Sequence, residues 1–305
     1  MERELWKVLA EAIAAVDAEF VDLARYGHRT FRIVRVYLWA ALHGNSVMWA
    51  TQPSNWPAGA RERRPGVLPD QSTMSRRTRS AAGEVFHRFV DTLAHRLSKC
   101  PDPRLLDLKR LDGKPLIVAA HSKDRDATWG RGAGGLQRGY KFHALWGSSI
   151  LPQASVVAPM NMDERAVARR LLRRLEGHGY VVADGNYDAN DLYALASLGG
   201  YQLLAPRDKP GSGLGNRRQQ PARLRSIELL ERNAFGLGRF GPHLFSKRRQ
   251  IEQKFGNLTS GVGALTLALP PFIRRIWRVR AWVKLKLLIY AARCVANTQQ
   301  QPDDA

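Results

Sequence analysis

Asp112, Asp184 and Glu252 are the acids in this chain whose setting suggests chemistry. Asp184 closes the run Tyr180-Val181-Val182-Ala183, which is short, apolar and bounded by Gly179 and Gly185. Such a run reads as a central parallel strand ending in a carboxylate. Open α/β sheets hold ligands at strand ends of this kind. Asp112 falls in the strand-rich stretch Leu106 to Val118, and Glu252 on a late helix. Nothing local brings the three together. A sheet with Asp112 and Asp184 on neighbouring strands, crossed by the Glu252 helix, would. Converging carboxylates suit magnesium, which prefers hard oxygen ligands and keeps several waters. Two such ions about 4 Å apart can activate a nucleophile and stabilise the leaving oxygen at one phosphodiester. Singly, each acid has a plainer reading. Asp112-Gly113 is a good hairpin turn pair, Asp184 is a turn cap, and Arg248 with Glu252 is a surface ion pair at i,i+4. Asp107 and Asp188 stand as substitutes.

The elements around these acids form two blocks. Residues 1–100 read as helical. Leu5, Trp6, Leu9, Ile13 and Val16 share one face, and a second apolar helix, Phe31 to Leu42, stops near Gly44. Residues 52 to 69 are broken by proline and glycine. Asp70 or Ser72 then caps a short helix bearing Gln71, Ser75, Arg76, Arg77 and Arg79, types that contact phosphates and base edges. A core helix follows from Ala82 to Leu97. The second block, 105–295, begins with strands. Gly130 to Gly139 reads as an exposed loop, and Tyr140 to Trp146 with Ile150 to Val157 as a hairpin. A helix capped by Asn161 or Asp163 precedes the Asp184 strand, and another strand covers Tyr201 to Ala205. A basic insertion occupies about 206–243. Helices follow at Ser246 to Phe255 and Phe272 to Val295, and 297–305 is a polar tail expected to fray.

The chain has 305 residues, 44% of them hydrophobic, so a sizeable core can form. Its net charge of +21 argues for a polyanionic partner. No stretch of about 18 apolar residues is present, and the acidic N-terminus lacks a signal peptide's order. A soluble cytoplasmic protein is expected, acting on nucleic acid and not on membrane. Cys100 and Cys294 make no CxxC pair, which disfavours a disulfide framework or a cysteine zinc site. Gly130-Arg131-Gly132-Ala133-Gly134-Gly135 lacks the Lys-Ser/Thr of a phosphate loop, and the histidines are scattered.

Asp112-x-x-Pro115-Leu116, Gly139-Tyr140-Lys141-Phe142-His143-Ala144, Asp184-x-x-Tyr187-Asp188 and Arg248-x-x-x-Glu252 occur in that order. With this pattern the chain resembles, over about residues 105 to 290, the DDE transposases of bacterial insertion sequences. The branch is the one with a Tyr/Arg/Glu/Lys signature around the last acid. The resemblance implies an α/β fold with an RNase H-like mixed sheet flanked by helices. It also implies an N-terminal all-helical DNA-binding subdomain. Asp112, Asp184 and Glu252 would be the metal-binding catalytic triad, with Mg²⁺ as cofactor and Mn²⁺ as its substitute. Arg248, Lys141 and Lys123 would face DNA, joined by Arg76, Arg77 and Arg79 of the helical block. The partners would be double-stranded DNA, both terminal inverted repeats and target, bound by a homodimer at the nucleoid. The reaction would be metal-dependent cleavage followed by strand transfer. Two positions depart from the signature: its tyrosine is Phe245 and its lysine is Thr259. The alternatives are a nuclease that cuts without joining, and an inactive DNA-binding protein.

Overall fold

The strand β1 (Leu106–Ile117) is the one on which the sheet is built. It pairs antiparallel with β3 (Gly135–Trp146) on one side and parallel with β5 (His178–Val182) on the other. Beyond β5 lies parallel β6 (Tyr201–Leu204). The outer edge of β3 takes β2 (Thr128–Gly132) along its first half and β4 (Ala154–Pro159) along its second. The result is a six-stranded mixed sheet. The computed structural model describes residues 2–22, 27–98, 106–132, 134–209, 213–214, 218–231 and 239–300.

The central strands are apolar because both faces are covered. Leu111, Leu145, Val181 and Leu203 point into a cluster closed by α6 (Glu164–Leu172) and α7 (Asn190–Leu198). Val182 and Leu204 point the other way, against Leu229 of α8 (Pro221–Glu231) and Leu244 of α9 (Phe240–Ser246). On that second face α10 (Arg249–Thr259) sets Phe255 edge-on to Phe142 and Trp146 of β3. A mixed α/β sheet flanked by helices, consistent with an RNase H-like fold, is therefore present.

One local reading changes, and at Asp112-Gly113 the plainer alternative gives way to the strand position. Gly130 to Gly139 is a β-ribbon formed by β2 and the start of β3, not a loop. Asp112-Gly113 is mid-strand, opposite Ala144 and His143, not a hairpin turn. Its glycine lies in a crowded place: a Cβ there would meet His143 Nδ1 at 2.8 Å and Lys141 Cδ at 2.9 Å, so those side chains would have to shift.

The chain divides into two compact units. One gathers Met1–Lys99, Asn257–Thr266 and Trp277–Ala305, and the other Cys100–Gly256 with Leu267–Ile276. The expected 105–295 block is therefore not one unit, because the last helix clusters with the first ones. That helical unit contains α1 (Glu2–Glu19), α2 (Thr30–Leu42), α3 (Val47–Ala50), α4 (Gln71–Arg76), α5 (Ser80–Leu97) and most of α11 (Ile276–Gln300). The α1 stripe Leu5, Leu9, Ile13 and Val16 is buried, as are Val279, Val283, Leu288 and Ile289 of α11. From Ala281 to Ala292 every residue of α11 except Lys284 is buried, Lys286 included, so the helix is covered on all its sides and not along one stripe, which explains the grouping. Asp70 caps α4 through Thr73 N at 2.6 Å. The helix α11 runs on to Gln300, into the tail expected to fray, and 301–305 lie outside the described residues. Parts of the 206–243 insertion and Cys100 also lie outside them; within the insertion α8 and the start of α9 are helical.

Candidate active site

Register brings the two aspartates level. Arg110 of β1 pairs with Val182 of β5 in a parallel ladder. Asp112 and Asp184 each follow that pair by two residues, on strands about 4.8 Å apart. Side chains alternate along a strand, so both acids share the face of Val182, the one that α10 crosses. Asp112 Oδ1 accepts from Gly113 N at 2.7 Å, and Asp184 caps the turn Gly185–Tyr187 through Asn186 N at 3.0 Å.

Arg110 fixes α10 over this face. Its Nε donates to Lys247 O at 3.1 Å, and a second nitrogen reaches the Gln250 side chain. Between those two contacts in sequence, Arg248 stands between the acids, 3.8 Å from Asp112 Oδ2 and 3.6 Å from Glu252 Oε1. The i,i+4 pair of Arg248, in the turn before α10, and Glu252, in its first turn, thus has a third member that only the fold supplies. Glu252 remains open, its side chain 62% exposed against 23% for Asp112. Lys254, near the position of the missing signature lysine, donates to Ser149 O at 3.0 Å and lies over the Trp146 ring.

A fourth acid joins the site. Glu164, first residue of α6, pairs with Lys141 of β3. Its charge raises the pKa of both Asp112 and Asp184. Sequence reasoning missed Glu164 because its neighbour Asp163 already explained the helix start; Asp163 does cap α6, through Arg165 N at 3.1 Å. No local signal marks Glu164; it matters only because β3, β1 and β5 are neighbours. Tyr187 of the Asp184-x-x-Tyr187-Asp188 pattern lies buried beside these acids. Burial, then the charges of Glu164, Asp112 and Asp184, hold its hydroxyl protonated well above the usual range.

The electrostatics follow from burial. Asp112 is pushed up to about 6, first by burial and then by the Asp184 charge, with the Gly113 N–H and Arg248 opposing. Asp184 is raised by burial and by Glu164, against the Asn186 N–H, Arg248 and Lys141. His143, under Gly113, is pushed down to about 4 by burial and is neutral at pH 7. Two level carboxylates with incompletely balanced charge are what a divalent cation neutralises, and the donors are hard oxygens. Magnesium needs only one or two protein carboxylates beside water and phosphate, so Asp112 and Asp184 fit it. The three acids are not drawn into one cage, and among the described residues no group of three or more metal-ligating side chains is arranged around a single ion.

The remaining expected site residues separate. Lys141 reaches the site but is engaged by Glu164. Lys123 is exposed in the loop between β1 and β2. Arg76 is exposed, and Arg79 lies over Trp277, 5.3 Å from the ring centre. Arg77 is a correction. It is 3% exposed and donates at 2.6 Å to both His28 O and Thr30 Oγ1, so it braces the helical unit and does not face DNA. The substitute acids are excluded by their partners. Asp188 accepts from Arg223 at 2.6 Å through both oxygens, and Asp107 holds Lys109 at 2.7 Å.

The chain's residues 111–290 match the family model described as the transposase DDE domain. No curated protein and no solved structure gives a significant match.

Proposed function

The chain belongs to the DDE transposases of insertion-sequence type, and from that premise we propose that it cuts and joins DNA at Asp112, Asp184 and Glu252. The observation that supports this most is the parallel register that sets Asp112 level with Asp184, together with Arg248 bridging Asp112 to Glu252. When bound, paired magnesium ions, or manganese in their place, would supply Lewis acidity at the nucleophile and the leaving oxygen. The chain's own groups do the rest. Asp112 and Asp184 offer the oxygens, Glu252 the exposed third carboxylate, and Arg248 and Lys141 positive charge beside a phosphodiester. Water would attack first, freeing a 3′-hydroxyl at the element's end. That hydroxyl would then attack a target phosphodiester, displacing a new 3′-hydroxyl. Joining two ends calls for two copies of the chain on double-stranded DNA. The helical unit, with Arg76 and Arg79 exposed, would bind the terminal inverted repeats.

Asp184→Asn tests the reading. It should abolish Mg²⁺-dependent cleavage of duplexes carrying the repeat that flanks the gene, while DNA affinity stays within about twofold. Absence of cleavage by the wild type with either Mg²⁺ or Mn²⁺ would leave a DNA-binding protein. Phe245 and Thr259, standing where the signature has tyrosine and lysine, favour a second reading, a nuclease that cuts without joining. Nicked product with no joined product in a strand-transfer assay would select it.

A further inference from the structure

The ribbon made by β2 and the first residues of β3 has no part in the site just described. Trp129 opposes Arg138, Arg131 opposes Leu136, and Gly132 opposes Gly135; Ala133 lies outside the described residues. The base of the ribbon is held firmly. Arg138 donates to Ser122 O and Asp124 O at 2.6 Å each, and Asn161 N donates to Thr128 Oγ1 at 3.1 Å. At Gly130 a Cβ would meet Met160 O at 2.6 Å, so only glycine lets β2 lie this close. The outer part is bare. Leu136 is 70% exposed and Trp129 54%, and Arg131 is exposed without an ion pair among the described residues.

Parity ties this surface to the acids. Asp112 opposes Ala144, so the two share a face. Counting back by twos along β3 from Ala144 reaches Arg138 and Leu136, and their partners Trp129 and Arg131 share that face too. The eight residue-to-residue steps from Ala144 to Leu136 span about 26 Å. Duplex DNA rises about 3.4 Å per base pair, so this is seven to eight base pairs from a phosphodiester at the acids, to within about one. Two paired strands are about 5 Å apart, and the major groove, about 12 Å wide, admits such a ribbon. Exposed Lys123 and Arg125, in the loop before β2, add positive charge at its base.

We propose that this ribbon is a groove-entering arm. It would grip duplex DNA seven to eight base pairs from the cut, with Arg131 on phosphate or base edges and Trp129 and Leu136 in apolar contact with the groove. The proposal rests on DNA being cut at the acids. Its test is separable from that reading, because it measures binding by a protein whose cleavage is assayed alongside.

The variant is Trp129→Ala, Arg131→Ala and Leu136→Ser together in the full chain, with Arg131→Glu alone as a second variant in case the first fails to fold. Fluorescence anisotropy would compare a duplex extending about 20 base pairs to each side of the cut with one ending about five base pairs from it on both sides. The triple variant should bind the long duplex about tenfold more weakly and the short one like wild type, and Arg131→Glu should show the same selectivity. Equal affinity for the long duplex, or equal loss on both, overturns the arm. So does a change of oligomeric state in sedimentation without length-selective loss, which would assign the ribbon to a second copy of the chain. Wild type that cleaves while its variants bind unchanged refutes the arm alone. Wild type that never cleaves refutes the catalytic reading.

Discussion

Asp112→Asn is expected to stabilise the protein while disabling it. Asp112 is largely buried, and its carboxyl is pushed from 3.8 to about 6 on folding. That difference favours the neutral form in the folded chain by about 3 kcal/mol. A carboxyl whose pKa rises on folding contributes stability that is full below 3.8 and lost as pH rises through about 6. Above that pH the fold carries an ionised group it disfavours, and asparagine, equal in shape and neutral, removes the penalty. The gain should approach 3 kcal/mol at pH 7.5 and shrink to about 1 kcal/mol at pH 4.5. For a domain of this size 1 kcal/mol moves Tm by roughly 2–4 °C, so the variant should melt about 6–12 °C higher at pH 7.5. The assay is thermal unfolding by circular dichroism in EDTA at the two pH values. Repeating it with Mg²⁺ adds a control: the metal should stabilise wild type by about 2.7 kcal/mol at a hundred times its Kd, raising its Tm, and leave the variant nearly unmoved. Equal or lower Tm for the variant at pH 7.5, or a gain independent of pH, would refute the argument that burial and Asp184 load this carboxylate.

Three further outcomes follow from particular contacts. Arg77→Ala should lower stability by about 1.5–3 kcal/mol in urea unfolding, through loss of charged hydrogen bonds to His28 and Thr30, whereas Arg76→Ala should leave stability unchanged and reduce the salt slope of DNA binding by about one. Asp188→Ala should cost about 3–5 kcal/mol by stranding Arg223, and its effect on Mg²⁺ affinity, read by calorimetry, should be small beside that of Asp184→Ala. Arg275 has φ +77°, so Arg275→Gly should be more stable than Arg275→Ala by about 1 kcal/mol in thermal unfolding, the reverse of the usual order for these two residues.

Much of the sheet was legible because its strands carry their burial in their composition. Tyr180 to Ala183 is apolar because it is covered on both faces, and Asp184 is polar because the chain leaves the sheet there. The glycine-rich ribbon was not legible. Its exposed face mixes Trp129, Arg131 and Leu136, and its other face is largely glycine, so no alternation of apolar and polar residues marks it as strand. Arg77 deceived for a related reason. In a basic stretch, composition cannot tell the arginine that turns inward to a carbonyl from those that face solvent. The existence of α11 was readable, but its extent was not, since it spans Ile276–Gln300 and not Phe272 to Val295; nor was its packing with the N-terminal helices, since an apolar run says that a helix is buried and not against what.

The site shows the same limit more sharply. Arg248 and Glu252 at i,i+4 would, on their own, be an exposed pair worth a few tenths of a kcal/mol. The third partner, Asp112, is supplied by Arg110, which pins the start of α10 onto β1 from a position two residues upstream. The contacts from Arg248, 3.8 Å to Asp112 and 3.6 Å to Glu252, are too long to be hydrogen bonds and act through charge alone. Charge without directional bonding is readily exchanged for another cation. A divalent ion entering between Asp112 and Asp184 would weaken the hold of Asp112 on Arg248 and leave the guanidinium to a phosphate. Mn²⁺ affinity should therefore rise in Arg248→Ala, by severalfold in calorimetry without DNA. An unchanged or weaker affinity would mean that Arg248 helps to hold the acids in place and does not compete for them.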